Sequence, residues 1–379
     1  MSCSIDSSTD VLVIGAGIAG TSTAYFLSQY ATVRILEREP YPGMHSTGRS
    51  AALFSATYGP SQVRTLTRAS RAFFERPPQG FTDSAVLTPR GVLTVGPEGQ
   101  AAELESLHGA IHPHLPSARL LRGPEIRAFV PVLDALFAHT ALFEPDASDM
   151  DVNALHRGFM RGLKFRGGDL LCGVDIRGIE RSHDHWLIDT GERRFRAPLL
   201  INAAGAWVDE VAAQAGVAPL GIEPRRRSAF LFAPPAGIAT AHWPFVVAAD
   251  ESFYFKPDAG LLLGSPANAD PVPPHDVQPD DLDIAIAVDR IEAATSLRID
   301  RPIRAWAGLR SFVADGGLVG GFAPDADAFF WVAALGGYGI QTCAAMGEAC
   351  AHLALGRALP ARLTDTGVTA AMLAPRTPR

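Results

Sequence analysis

The chain has 379 residues, 47% of them hydrophobic and 19% charged, which fits a globular protein with more than one core. A net charge of −7, from 33 basic and 40 acidic residues, gives no dominant basic field and argues against a nucleic-acid partner, and the short run Arg225, Arg226, Arg227 does not change that. Cys3, Cys172, Cys343 and Cys350 form no C-x-x-C pair or metal spacing, the N-terminus lacks signal-peptide features and no apolar run nears about 18–20 residues, so a cytoplasmic enzyme with reduced thiols, no metal and no membrane span is expected.

The first predicted element is the strand V-L-V-I at 11–14. It runs into G-A-G-I-A-G at 15–20, a helix, and a second strand that ends in Glu37. Strand, glycines, helix and acid in this register form a dinucleotide-binding βαβ unit. Gly15 permits the tight turn, Gly17 lets backbone approach a pyrophosphate at the helix N-terminus, Gly20 lets the helix pack on the strand, and Glu37 can accept from a ribose. Residues 41–52 read as a loop entering a helix. A helix follows over 62–74, then strand character over 86–95 with a bend or hairpin at Pro89 and Gly91, then helices over 100–110 and 124–129. The stretch 143–151 reads as a loop and 152–163 as an amphipathic helix. Short strands follow at 170–174, 186–190 and 199–203, the last running into A-A-G-A-W. From 219 to 310 the pattern is strand-rich, interrupted by a helix over 282–294. F-F-W-V-A-A-L-G-G-Y-G-I-Q-T reads as strand, glycine turn and helix start, and 361–379 as an exposed tail.

Nucleotide-type pieces at the start, middle and end imply two interwoven domains. Residues 1–60, 147–214 and 315–379 are expected to bind the cofactor, and 61–146 and 215–314 the substrate. The expected class is α/β with an α+β substrate part: a Rossmann-type domain interleaved with a mixed-sheet domain.

Four blocks carry a resemblance across nearly the whole chain: G-A-G-I-A-G at 15–20, H-S-T-G-R-S-A-A at 45–52, N-A-A-G-A-W at 202–207, and A-G-L-R-S-F at 307–312 with G-G-Y-G-I-Q-T at 336–342. The chain resembles the FAD-dependent D-amino acid oxidase and dehydrogenase superfamily. The runs E-S-F-Y-F-K-P-D and L-L-L-G-S-P-A-N-A-D-P look closest to its bacterial D-arginine dehydrogenase branch. The resemblance implies FAD, held by Gly15, Ala16, Gly17, Ile18, Ala19, Gly20, Glu37 and Arg38 at the first crossing. It implies that His45, Ser46, Thr47, Gly48, Arg49, Ser50, Ala51 and Ala52 form a helix N-terminus against the flavin. Without the resemblance, that block is a polar loop capped before a helix. Val174 fits a strand that meets adenine through its backbone, or a plain core strand. Ala203, Ala204, Gly205 and Trp207 match the second crossing, and Trp207 fits a core anchor equally well. Gly308 and Arg310 belong to the third block. Gly336, Gly337, Tyr338, Gly339, Ile340, Gln341 and Thr342 form a glycine turn whose amides and helix dipole can face the flavin N1–C2=O edge. No Cys lies between 173 and 342, so non-covalent FAD is expected.

The implied activity is oxidative deamination: hydride passes from Cα to flavin N5, and the imino acid hydrolyses to a 2-oxo acid and ammonia. Arg310 takes the family position of a carboxylate fork, joined by Arg227. Read as a strand, R-R-R-S-A-F puts Arg225 and Arg227 on one face, with Arg225 and Arg226 as surface charges. Tyr58 and Tyr254 match active-site tyrosines, and Gly337 offers a carbonyl to the substrate amine. Where the D-arginine branch has an acid and a histidine, this chain has Val92 and Leu53, and Phe245 and Val247 continue an apolar wall. A buried guanidinium without its carboxylate is costly, so apolar D-amino acids are expected over D-Arg. The implied electron acceptor is a quinone, another carrier or O2; a quinone implies transient membrane contact. The rival readings are an FAD-dependent 2-hydroxy acid dehydrogenase, an NAD(P) dehydrogenase, which only the first block fits, and a non-catalytic flavin-binding protein.

Overall fold

Strand Val11–Ile14 is buried along its whole length, as a strand covered on both faces must be. It sits inside a six-stranded sheet ordered Asp169–Leu171, Val33–Leu36, Val11–Ile14, Leu199–Asn202, Phe329–Ala333, Val319–Phe322. The first five strands run parallel and the last pair is antiparallel. The chain leaves Val11–Ile14 on one side towards Val33–Leu36, and Leu199–Asn202 lies on the other. A switch point therefore opens at the carboxyl ends of Val11–Ile14 and Leu199–Asn202, where α/β sheets bind ligands. The structure, a computed structural model, describes residues 5–376. Cys3, the start of the polar N-terminal segment and the last three residues of the expected tail lie outside that range.

Helix Ile18–Leu27 is buried on nearly every side and packs against helices Val152–Phe165 and Gly339–Ala354. Small residues permit this. A side-chain carbon placed on Gly347 would come within 2.8 Å of the Ser22 backbone. The buried hydroxyls of Thr21 and Thr23 donate to the carbonyls of Gly17 and Ala19. Helix Val152–Phe165 starts at Asp151, whose carboxylate accepts from the Ala154 amide at 2.8 Å.

The second large sheet has nine strands. They include Glu223–Phe232, Leu261–Ser265, Tyr254–Asp258, Phe245–Ala248, Val92–Gly96 and Thr140–Glu144 in that spatial order. Helix Asp281–Ala294 packs on it, its Ile284 and Ile291 sharing one apolar cluster with Phe230 and Phe255 of the sheet. Strand Arg304–Phe312 pairs antiparallel with Glu223–Phe232, placing Arg310 opposite Arg225 and Gly308 opposite Arg227. Side chains alternate along a strand, so Arg225, Arg227 and Arg310 share one face. The whole is a mixed α/β fold, with a Rossmann-type sheet and a separate mixed sheet interleaved along the chain. Among the described residues, no helix is long and apolar enough to cross a membrane.

Several expectations need correction. Residues 86–95 form no hairpin. Leu87–Pro89 joins a small sheet beside Ser148–Met150, while Val92–Gly96 enters the large one. Gly91, at φ +74°, makes the switch, with its amide on the Ala147 carbonyl. The expected loop at 143–151 contains the end of strand Thr140–Glu144 and all of Ser148–Met150. Residues 361–376 are packed, not an exposed tail. Two short helices, Ala361–Thr364 and Ala370–Leu373, bury Leu363, Val368 and Leu373 in the core under the first sheet. Helix Ser61–Glu75, expected on the substrate side of a boundary at 60, places Val63, Leu66 and Phe74 in that same core. Arg226 is not a surface charge. Its half-buried guanidinium pairs with Asp283, whose other donors are Ser228 and Asn268. Arg225 stays at the surface, paired with Glu223.

Candidate cofactor and active site

The loop after Val11–Ile14 is shaped by contacts that only glycine allows. Gly15 has φ +99°, and a side chain there would meet the Ala203 carbonyl oxygen at 2.5 Å. One on Gly20 would lie 1.9 Å from the Gly15 oxygen. Gly17 meets only the Thr47 hydroxyl, at 3.3 Å, and its open side faces a cleft of about 230 Å³. Gly15, Gly17, Ile18, Ala19, Glu37, Arg38, His45, Ser46, Thr47, Val174, Ala203, Ala204, Gly205, Trp207 and Gly336 line that cleft. A second space of about 110 Å³ shares Ile18, Ser46, Thr47 and Gly336 with it and adds Arg49, Ser50, Ala51, Gly308, Arg310, Gly337, Gly339 and Ile340. Helix Gly339–Ala354 starts here, its first amides without intrahelical partners. The Gln341 side-chain amide nitrogen is buried without a hydrogen bond. A long, glycine-floored cleft that ends at the free amides of a helix N-terminus fits a flat dinucleotide such as FAD.

Not every expected cofactor residue lines the cleft. Ala16, Gly20, Gly48 and Thr342 lie behind its wall, and Ala52, Tyr338 and Gln341 face a third cavity. The Glu37 carboxylate accepts from the amides of Ala16, at 2.6 Å, and Glu39, at 2.9 Å, which holds the acid at the lip of the cleft. Val174 is not in a strand. Gly173, at φ +69°, ends the pairing after Leu171, and the Val174 amide donates to the Glu37 carbonyl.

The block at 45–52 contains no helix either. Residues 42–49 are a run of turns closed by the Gly48 amide on the Gly43 carbonyl, with Gly43 at φ +76°. Long-range bonds hold it instead. The Thr47 hydroxyl accepts from the Ile18 amide, and the Ser46 hydroxyl donates to the Leu309 carbonyl at 2.6 Å. The Trp306 indole donates to the Arg49 carbonyl at 3.0 Å. His45 and Arg38 both pack on Trp207, at 4.7 Å each, so Trp207 is wall and anchor together.

The third cavity, about 430 Å³, lies beside the second space and shares Arg310, Arg227, Tyr254 and Gly337 with it. Tyr58 joins these polar groups, and Leu53, Val92, Phe245 and Val247 form an apolar wall. Arg310 Nη1 donates to the Tyr58 hydroxyl at 3.1 Å. A side chain on Gly337 would lie 2.7 Å from the Arg310 guanidinium carbon, so the glycine lets the planar fork lie on backbone. Burial alone would lower the Arg310 pKa, but facing Tyr58 and Tyr254 push it above its ordinary value. Burial and the neighbouring Arg310 lower that of Arg227. Burial, with Tyr58 and Glu251 nearby, raises the Tyr338 phenol to about 12. No described carboxylate comes within ion-pair distance of either Arg227 or Arg310, so the cavity presents two cations to an incoming anion. Phe245 stacks on Tyr254 at 5.1 Å, fixing the ring behind them.

Sequence reasoning missed three features. Glu144 is buried and accepts from Ser55, Ala56 and Thr57, the segment leading into Tyr58. His156 is buried behind the glycine loop and donates to the Ala16 carbonyl at 2.9 Å, with burial holding its pKa below the ordinary value. Arg64, Glu103 and Glu251 stand in the lining of the third cavity. An acid in a β-rich stretch and a histidine on the apolar face of an amphipathic helix were visible signals, but their partners lie far away in sequence.

A family model described as FAD dependent oxidoreductase matches residues 10–353. The chain is similar to monomeric sarcosine oxidase of Arthrobacter sp. (strain TE1826), 26% identical over 208 residues, 54% of this chain and 53% of that protein. It thus spans about half the length of that curated relative. Its fold is similar to that of glycine oxidase from Geobacillus kaustophilus, with TM-score 0.84, 19% identity and coverage of 98% of this chain and 99% of the other. It is also similar to FAD-bound L-α-glycerophosphate oxidase from Mycoplasma pneumoniae, with TM-score 0.82, 18% identity and coverage of 92% and 95%. The family match begins one residue before the strand that carries the glycine loop and stops one residue short of the end of the last long helix, the span that builds the cleft, and the chain belongs to the family of FAD dependent oxidoreductases, with FAD as its cofactor.

Proposed function

We propose that the protein oxidises D-amino acids at the amine-bearing carbon, preferring apolar side chains to that of D-Arg. The observation that carries this reading is the pairing of two cations, Arg310 and Arg227, with an apolar wall of Leu53, Val92, Phe245 and Val247 around one cavity. FAD, when bound, supplies the two-electron acceptor for the Cα–H bond. Arg310 offers its fork to the carboxylate, and Tyr58, which accepts from Arg310, keeps its own proton to donate to the same group. The Gly337 carbonyl accepts from the amine. Holding the carboxylate and amine at two fixed points orients Cα, and the chain needs little further chemistry. The imino acid product hydrolyses in water to a 2-oxo acid and ammonia. Similarity to a sarcosine oxidase and a glycine oxidase, whose named substrates carry an amine next to a carboxylate, supports the same class.

The test is anaerobic bleaching of the flavin absorption band by a panel of D-, L- and N-methyl amino acids and 2-hydroxy acids. D-Met, D-Phe, D-Leu or D-Pro should bleach it faster than D-Arg. Bleaching by hydroxy acids alone, or a kcat/KM for D-Arg above those for D-Met and D-Phe, overturns the reading. The wall has its own test. Val92 is buried, and neither it nor Leu53 offers a guanidinium a counter-ion. The double variant Val92→Glu with Leu53→His should gain at least about tenfold in kcat/KM on D-Arg and D-Lys relative to D-Met. No gain on cationic substrates would show that these two positions do not face the side chain.

A further inference from the structure

Segment 272–279 connects strand Asp270–Pro271 of the large sheet to helix Asp281–Ala294. It has no regular structure, and its residues are largely exposed, with one exception: Val277 is 2% exposed. Val277 plugs a small apolar cluster with Ala206, Ala307, Leu309 and Trp207. Three of these four belong to the cleft or its rim: Trp207 and Leu309 line it, and Ala206 lies between Gly205 and Trp207. The segment thus leaves the large mixed sheet, crosses to the cofactor side and is pinned there by Val277, with Val272 packed against the same cluster.

Arg49 makes the second attachment. Its Nη2 donates to the Asp276 carboxylate, and its Nη1 donates to the carbonyls of Val277 at 2.8 Å and Ala307 at 3.0 Å. Its Nε donates to the Met44 carbonyl at 3.2 Å. The guanidinium fork is therefore occupied on every nitrogen by protein oxygens. His45 Nδ1 lies 3.9 Å from the same Asp276 carboxylate, and the Arg49 hydrogen bond holds that carboxyl below its usual pKa. Arg49 and His45 both line the cofactor spaces. The resemblance set Arg49 against the cofactor, but the geometry points it at the strap.

We infer that segment 272–279 is a strap that retains FAD, latched by Arg49 on Asp276 and the Val277 carbonyl, so that Asp276 is a positioning residue for the loop at 43–50. The strap joins both sides of the cleft, and the cofactor can leave only when the two sides part. Arg49 is suited to this because a planar fork with several donors fixes a carboxylate and two carbonyls at once, which lysine cannot do.

The two roles for Arg49 predict opposite signs for Asp276→Asn. If Arg49 served the anionic pyrophosphate, removing a competing carboxylate would free the cation and tighten FAD binding. If Arg49 latches the strap, the same change loosens it. The experiment follows FAD release from the holoprotein by the rise in flavin fluorescence after dilution, and the Kd by titrating apoprotein with FAD. Asp276→Asn should release FAD about threefold faster or more, with Asp276→Glu restoring the wild-type rate. The Asp276 side chain is 63% exposed, so the substitution leaves the core intact. Val277→Asp, which drives a charge into the plug, should accelerate release further, because an unpaired charge is not tolerated in an apolar cluster. Slower release, tighter binding or an unchanged rate in Asp276→Asn each overturns the strap. The outcome is independent of which amino acid bleaches the flavin.

Discussion

Replacing Arg310 with methionine should lower kcat/KM for the best D-amino acid by about 30- to 4,000-fold while leaving the flavin spectrum in place. The range follows from the roughly 2–5 kcal/mol lost when one partner of a buried, hydrogen-bonded charge pair is truncated. Arg310 has the arrangement that such a loss requires. No described carboxylate lies within ion-pair distance of its charge, its plane lies on the Gly337 backbone, and Tyr58 fixes one end of the fork. Arg227 should matter less, because its Nε already donates to the Asn268 carbonyl. Arg310→Lys keeps the charge and loses the fork, so its activity should fall between wild type and Arg310→Met. Steady-state kinetics on the three proteins, each saturated with FAD, decides the matter. A kcat/KM for Arg310→Met within threefold of wild type would mean that the substrate carboxylate binds elsewhere.

What the sequence made legible is uneven, and the unevenness has a physical cause. The glycine loop was readable because its constraints are local. At Gly15 and Gly20 the backbone itself occupies the space a side chain would need, and residue type alone records that. Arg310 stood out because a charge between W-A-G-L and S-F-V has no ordinary place at a surface, and Leu53 and Val92 because apolar residues stand where a resembling branch is polar. The block at 45–52 was misread as a loop leading into a helix N-terminus because its small and polar residues serve partners hundreds of positions away, such as Leu309 and Ala307. The C-terminal segment looked like a tail because its two helices span four residues each, too short for a periodic signal, yet Leu363, Val368 and Leu373 are fully buried. Asp276 was invisible in principle: an exposed acid in a Pro-rich loop acquires meaning only from Arg49, 227 residues earlier.

Glu144 is the clearest case of a site residue hidden by sequence distance, and its removal should be costly. Strand Thr140–Glu144 ends with this carboxylate 1% exposed. It accepts from the Ser55 hydroxyl at 2.6 Å, the Ala56 amide at 2.7 Å and the Thr57 hydroxyl at 2.8 Å, with a longer contact from the Thr57 amide at 3.4 Å. Burial raises its pKa above the ordinary value, and these donors offset only part of that rise. Among the described residues no cation pairs with Glu144, so its carboxyl depends on the donors of 55–57, and that irregular segment depends on the acid. Ser55 and Thr57 line the third cavity, and the next residue is Tyr58. Glu144→Ala leaves the backbone donors buried without an acceptor, a cost of about 3–5 kcal/mol by analogy with breaking a buried pair. Calorimetry of the holoprotein should show Tm lower by about 5 °C or more. Glu144→Gln turns part of the acceptor into a donor facing donors and should recover only part of the loss. Because Tyr58 hangs from this segment, KM for the amino acid should rise in both variants even at temperatures where they remain folded. Glu105→Ala supplies the control: its pair with Arg122 is half exposed and should shift Tm by about 1 °C at most. If Glu144→Ala behaves like that surface control in both Tm and KM, the segment carrying Tyr58 is held by something other than Glu144.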